Sequence, residues 1–131
     1  MRVGEFNSSD RFQIDEAIRN AELVSRFEFS VFVGRVDGEP RAFATQLHNS
    51  LVAPSRSVLI LLDPAARLLE VVTGASVRRN ITDREVELVT MQMQTLFASG
   101  DLVGGLRRGI QMLADHATGP HTLHAEGGGG A

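Results

Sequence analysis

The sequence contains no cysteine, lysine, tyrosine or tryptophan among its 131 residues. Without cysteine the chain forms no disulfide bond, and it has neither thiolate metal ligands nor a cysteine nucleophile. Without lysine it has no Schiff-base or phosphate-loop lysine, and without tyrosine it has no phenolic nucleophile. All thirteen cationic side chains are therefore arginines, a bias typical of a GC-rich bacterial genome.

The balance of charge and hydropathy is that of an ordinary globular domain. The apolar fraction is 43%, the charged fraction is 22% and the formal net charge is −3, which favours one domain with its own core. No cluster of positive charge indicates a nucleic-acid partner, and no apolar run approaches the ~20 residues that span a bilayer. With no signal-peptide pattern at the N-terminus, we expect a cytoplasmic protein without membrane association.

Apolar periodicity predicts four helices and three strands in a single domain over residues 1–118, followed by a disordered glycine-rich tail over 119–131. The predicted helices cover 9–25, 40–49, 82–98 and 101–117, and the predicted strands cover 27–36, 57–62 and 67–73. A helix joins the first two strands, which should therefore pair in parallel through a right-handed crossover. A short turn joins the second and third, which should be antiparallel. The order α-β-α-β-β-α-α indicates an α/β fold, a three-layer α/β/α domain around a small mixed sheet.

Local signals add detail to three of these elements. The first strand is apolar on both faces in its second half, and we expect it to be central in the sheet. Polar residues at 8–10 offer N-cap oxygens to the first helix, and Thr82 with Glu85 predicts a capping box for the third. Three glycines within 104–109 lie inside the fourth helix, where close packing against the third helix or the sheet is the expected reason.

Four carboxylates are expected near the carboxyl ends of the parallel strands, where open α/β sheets bind ligands. These are Asp10, Asp37, Glu39 and Asp63. Several oxygen ligands without a lysine suit Ca²⁺ or Mg²⁺, and a bound metal ion could orient a phosphoryl group and activate water. The alternative is that these residues serve their own turns and helix starts, where acidic side chains accept hydrogen bonds from nearby backbone.

Three arginines lie near the predicted start of the third helix, at the opposite pole of the domain. Arg78, Arg79 and Arg84 are placed to hold a phosphate or carboxylate group of a ligand or a protein partner. The alternative is that they are solvated charges that pair with Asp83 and Glu85.

The histidines and the N-terminal serines are weaker candidates. The four histidines are His48, His116, His121 and His124. They lack the further carboxylate or cysteine that would complete a zinc site, so we expect incidental surface positions for them. Ser8 and Ser9 have no histidine in position to act as a base, so a serine hydrolase is not favoured.

The stretch from the second strand to the fourth helix resembles the TPM-domain family, phosphatase-like α/β/α domains that include a thylakoid-lumen acid phosphatase. The matching segments are 58–63, 67–74, 81–83, 96–106 and 109–110. The resemblance implies the same sheet and helices, a divalent-metal site and, in some members, weak phosphatase activity. One departure precedes the first helix, where many members carry an acidic and Leu-Ser motif and this chain has residues 5–10, Glu-Phe-Asn-Ser-Ser-Asp.

Taken with this resemblance, the residues favour a TPM-like binding or regulatory domain without strong catalysis. One alternative is a divalent-metal-dependent phosphatase of low activity, with Asp10, Asp37 and Asp63 as ligands. Another is a protein-protein interaction scaffold that pairs with an unknown partner through an exposed strand edge or helix face.

Overall fold

A computed structural model of the chain describes residues 6–127, with side chains described within 6–118. The helices are α1 (Ser8–Ser25), α2 (Pro40–Asn49), α3 (Asp83–Ala98) and α4 (Leu102–Gly127), and the strands are β1 (Glu28–Val33), β2 (Ser57–Asp63) and β3 (Leu68–Thr73). Short 3-10 turns occupy Pro54–Arg56 and Val77–Arg79. The α4 backbone continues past the predicted end near 117. The side chains of the predicted tail over 119–131 lie outside the described residues, so the boundary at 118 and the disorder of the tail stay predictions.

The predicted α/β architecture is confirmed. The sheet has the order β1-β2-β3, with β1 parallel to β2 and β2 antiparallel to β3. Helices α1, α3 and α4 pack on one face around a large apolar cluster that includes Ile60 and Leu106. Helix α2 covers the other face through a smaller cluster that includes Ala44 and Leu59. The three layers follow because each face of the sheet carries apolar side chains that need a cover.

The prediction that the first strand is central was wrong. All seven residues of β2 are buried, and β2 pairs on both sides, whereas β1 pairs with β2 alone among the described strands. Apolar residues on both faces of a strand indicate that helices cover both faces. They carry no information about whether both hydrogen-bonding edges are paired, so β1 is apolar on two faces and still lies at the edge of the sheet.

The helix starts are closed by side-chain caps. Helix α1 is capped by Asn7, one residue before the predicted cap region, and Asp10 completes a capping box with it. The capping box of Thr82 and Glu85 at α3 is confirmed. Such reciprocal bonds satisfy backbone N–H groups that have no partner within the helix.

Close packing of α4 against α3 accounts for two of its glycines, as predicted. A Cβ atom at Gly105 would overlap the ring of Phe97, and one at Gly109 would overlap the thioether of Met93. Met93 is fully buried, so a side chain at Gly109 would have to displace a core residue. Within the described residues, no helix combines the length and apolar character that crossing a membrane requires.

Candidate functional site

Asp63 is a buried carboxylate at the end of β2. Only 5% of the residue is exposed, and its two oxygens accept hydrogen bonds from the backbone N–H groups of Val36 and Ala66, at 3.0 and 3.2 Å. The first bond ties the loop after β1 to the end of β2, and the second closes the turn that leads to β3. β1 ends at Val33, three residues before the predicted end, and the Val36 N–H donates to this side chain.

The other three predicted metal ligands also have local partners. Asp10 accepts from the Asn7 N–H at 3.1 Å, and Glu39 caps α2 by accepting from the Ala42 N–H at 2.8 Å. Asp37 is exposed and lies 3.8 Å from the guanidinium of Arg35. In the part of the chain that the structure describes, no three acidic or histidine side chains form a group that could hold a metal ion. The Ca²⁺ or Mg²⁺ site stays a prediction, and the geometry of these carboxylates matches the local alternative.

The three predicted anion-binding arginines do not share a site. The guanidinium of Arg78 donates to the backbone carbonyl of Thr73 at the end of β3. Arg78 also lines a cleft of about 320 Å³ together with His48 and Ser55. Arg79 and Arg84 are exposed and do not line this cleft.

The expectation that His48 is an incidental surface residue was wrong. His48 is 5% exposed, and its Nε2 lies 3.0 Å from the Ser57 carbonyl. Because a carbonyl oxygen only accepts, Nε2 carries the hydrogen, and the bond fastens the last turn of α2 to the start of β2. One sequence signal could have revealed this burial: His48 follows the core residue Ala44 by four positions, which places both on one face of the helix.

An apolar cleft at the carboxyl end of β2, hereafter the β2 cleft, was missed by sequence reasoning. It has a volume of about 560 Å³ and lies between the β2–β3 turn and the turn that joins α3 to α4. Its lining residues are Leu62, Pro64, Arg67, Leu68, Leu69, Gln94, Phe97, Ala98, Gly100 and Leu102. These residues come from two distant parts of the chain, so no local pattern marks them as one surface.

The β2 cleft carries one charged group among its lining residues, the guanidinium of Arg67. Arg67 adopts a left-handed backbone conformation with φ of 56°, which is uncommon for a residue with a side chain. Its N–H donates to the Pro64 carbonyl at 3.2 Å, which closes the β2–β3 turn. The cleft therefore combines an apolar wall with one cation, and Gln94 adds an amide.

Another cleft, of about 440 Å³, runs between α1 and α4 and has a different character. Its lining includes acidic residues such as Glu16 and Asp115 together with Arg107 and Arg108. It carries charges of both signs, so it offers less selectivity for one class of ligand than the β2 cleft does.

Glu85 links the start of α3 to α4 and gives a pH-dependent contribution to stability. The hydrogen bond from the Thr82 N–H holds the pKa of this carboxyl below its ordinary value of 4.5. The Thr82 hydroxyl and His116 also lower the pKa, whereas partial burial raises it. The His116 Nδ1 lies 3.2 Å from the Glu85 carboxylate. Because the folded-state pKa is depressed, this contribution is present above about pH 4.5 and is lost as the pH falls through the folded-state value.

The Glu85→Gln variant tests this contribution. Glutamine keeps an oxygen that can accept from the Thr82 N–H but does not titrate in this range, so the capping box is retained. We expect the free energy of unfolding of the wild type to fall more steeply than that of the variant between about pH 5 and pH 3. Denaturant unfolding followed by circular dichroism measures the free energy of unfolding of both proteins. Parallel pH profiles would contradict the contribution assigned to Glu85.

These features define a class of protein, a small three-layer α/β domain with a three-stranded mixed sheet and an apolar cleft at the end of its central strand. The chain belongs to the family described as Domain of unknown function (DUF5130), which it matches over residues 2–114. Two curated relatives from Mycobacterium tuberculosis are the uncharacterized proteins MT2543, of strain CDC 1551 / Oshkosh, and Rv2468c, of strain ATCC 25618 / H37Rv. Each is 25% identical over 109 residues, which are 83% of this chain and 65% of the relative. The chain thus spans slightly less than two thirds of these relatives.

Two solved structures share the fold. The NMR structure of the BA42 protein from Bizionia argentinensis has a TM-score of 0.78 at 18% identity, over 88% of this chain and 84% of that one. The N-terminal domain of cg2496 from Corynebacterium glutamicum has a TM-score of 0.73 at 18% identity, over 88% of this chain and 76% of that one. At this identity the likeness shows the fold alone.

The family match corrects the resemblance to the TPM-domain family. The chain matches the domain of unknown function, the two mycobacterial relatives named above are uncharacterized proteins, and neither comparison points to a TPM domain. The segments that carried the resemblance are buried strands and amphipathic helices, and any sheet covered by helices requires such patterns. The metal site and the phosphatase activity lose the support that the resemblance lent them.

Proposed function

We propose that this domain is a binding module that takes an amphipathic anion in the β2 cleft, with an apolar body against the cleft wall and a carboxylate or phosphate head on Arg67. The observation that carries the proposal is the composition of the lining, a mainly apolar surface with one guanidinium as its charged group. Arginine is well suited to such a head because its planar fork donates two parallel hydrogen bonds to a carboxylate or phosphate.

The position and size of the cleft support a small ligand. Open α/β sheets bind ligands beyond the carboxyl ends of their parallel strands, and the cleft begins at Leu62, near the carboxyl end of β2. A volume of about 560 Å³ falls within the range of roughly 300–1,000 Å³ typical of small-molecule sites.

The lining favours binding over catalysis. It contains no carboxylate, histidine or hydroxyl side chain, so the described cleft offers neither a general base nor a nucleophile beside the ligand head. A module that binds without turnover agrees with this lining better than a phosphatase does.

Octanoate is the probe for this proposal, and Arg67→Asn is the variant. Asparagine tolerates the left-handed backbone conformation better than most residues, so the variant removes the guanidinium while the turn is retained. We expect octanoate to shift the backbone amide signals of Leu68, Leu69 and Phe97 in the wild type. The variant should bind at least about tenfold more weakly, because both charge-assisted hydrogen bonds of the guanidinium are lost.

Two controls separate the site from general charge effects. Arg79→Asn makes the same change in net charge outside the cleft and should leave octanoate binding unchanged. Octylamine has the same apolar chain with a cationic head and should bind more weakly than octanoate. Equal affinities for octanoate in the wild type and Arg67→Asn, or shifts spread over the whole surface, would contradict the proposal.

A further inference from the structure

One wall of the β2 cleft contains an aromatic ring that rests on a glycine of α4. Phe97, near the end of α3, lines the cleft and packs against the larger apolar cluster. A Cβ atom built on Gly105 would overlap the Cε1 and Cδ1 atoms of the Phe97 ring. The ring therefore occupies the space that any side chain at position 105 would need.

Hydrogen bonds fix the backbone on both sides of this contact. The Gly105 N–H donates to the Asp101 carbonyl at 3.0 Å, and the Gly100 N–H donates to the Phe97 carbonyl at 2.9 Å. The first bond belongs to the first turn of α4, and the second holds the last turn of α3. A side chain at position 105 therefore acts on the ring of Phe97 before it acts on the main chain.

The two helices approach each other as closely one turn farther along α4. There a Cβ atom at Gly109 would overlap the side chain of Met93, which is fully buried. Separating the helices at Gly105 would disturb this core contact, so the Phe97 ring is the part that can move. The core beneath the ring is close-packed, whereas the β2 cleft has an open volume of about 560 Å³. A displaced ring is therefore expected to enter the cleft.

The position of the ring sets the space available to the ligand. In the proposed binding mode the anionic head lies on Arg67 in the β2–β3 turn, and Phe97 belongs to the facing wall. The apolar body of the ligand then extends toward Phe97. Each methylene that leaves water strengthens binding by up to about fourfold, so a shortened cleft loses this contribution for every methylene that it excludes.

We propose that Gly105 is a positioning residue, which sets through the Phe97 ring the length of the apolar body that the β2 cleft accepts. The inference rests on the proposed binding function and extends it from a class of ligand to the selection among anions of different tail length. Gly105 itself does not line the cleft.

The test compares hexanoate, octanoate and decanoate on the wild type, Gly105→Ala and Gly109→Ala by titration of backbone amide signals. In the wild type we expect affinity to rise with each added methylene. In Gly105→Ala the gain from hexanoate to decanoate should be about tenfold smaller, which corresponds to about two excluded methylenes. Gly109→Ala adds the same methyl group to the same helix interface, but it displaces Met93, which does not line the cleft. This control should keep the wild-type dependence on tail length.

A second substitution separates the position of the ring from a general effect of the added methyl group. Leucine is smaller than phenylalanine, so Phe97→Leu leaves room for the Cβ atom at position 105. Combined with Gly105→Ala, it should restore the gain from hexanoate to decanoate. If Gly105→Ala does not fold, Phe97→Leu alone moves the same wall outward, and it should extend the gain in affinity to dodecanoate beyond that of the wild type.

The possible failures of the inference and of the binding function are distinct. A folded Gly105→Ala with the wild-type dependence on tail length would overturn the inference and leave the binding function intact. An equal loss in Gly109→Ala, a double variant that does not recover, or a Phe97→Leu variant with no added gain for dodecanoate would also overturn it. A wild type that binds none of the three acids would overturn the binding function, and the inference with it.

Discussion

Replacement of Gly74 by alanine is expected to lower the free energy of unfolding by about 3 kcal/mol. A Cβ atom at this position would overlap the backbone oxygens of Pro54 and Ser55. These atoms belong to main chain that is itself fixed, since the Gly74 N–H donates to the Ser57 carbonyl at 2.9 Å and the Ser76 N–H donates to the Ser55 carbonyl at 2.9 Å. The backbone at Pro54 and Ser55 cannot move aside as a flexible side chain does. The segment before β2 and the segment after β3 must therefore separate.

Denaturant unfolding measures this loss, and Gly38→Ala is the matched control. Gly38 has a positive φ of 79° and nothing within 4 Å of the added methyl group. The control therefore reports the backbone cost of alanine in the left-handed region, roughly 1–2 kcal/mol. If Gly74→Ala costs no more than Gly38→Ala, the close approach of the two loops does not contribute to stability.

Replacement of Asp63 by alanine is expected to cost about 3 kcal/mol of unfolding free energy, because two hydrogen bonds to a charged acceptor are lost together. In the variant the N–H groups of Val36 and Ala66 lose their acceptor. Asp63 is only 5% exposed, so this loss occurs at a buried position. Asp37→Asn changes the net charge by one unit at an exposed position and should alter stability by less than about 0.5 kcal/mol. Comparable losses in the two variants would contradict a structural role for Asp63.

The same measurement separates the structural role of Asp63 from the predicted metal site. A ligand that binds the folded state raises its stability with concentration. If Ca²⁺ or Mg²⁺ stabilises the wild type and this gain disappears in Asp63→Asn, the metal interpretation is supported. If the metal ions change neither protein, the carboxylate acts through its two backbone partners.

Much of the fold could be predicted from local patterns and connection lengths. The buried run in β2 and the capping box at Thr82 identified two elements, and the length of each connection set whether neighbouring strands are parallel or antiparallel. These predictions succeeded because the spacing of apolar residues reports which faces are covered, and a short turn permits one pairing direction.

The candidate site could not be predicted in the same way. Asp10 was predicted at a helix start, and Glu39 and Asp63 were predicted in the turns after the first and second strands. In the structure the oxygens of all three accept from nearby N–H groups. Whether separate carboxylates converge depends on loop paths, which apolar spacing does not encode. Arg78 illustrates the same limit, since its partner is the carbonyl of an edge strand, whose exposure follows from the order of the strands.

Sequence alone was enough for the number, type and order of the elements and for the layers that cover the sheet, because each depends on residues close together in the chain. Tertiary structure decided that β1 is an edge strand, that His48 is buried, and that Arg67 stands beside an apolar cleft. These features arise where segments that are distant in the chain pack together. The free energy of that packing depends on the shape of both surfaces. No periodicity within one segment carries that information.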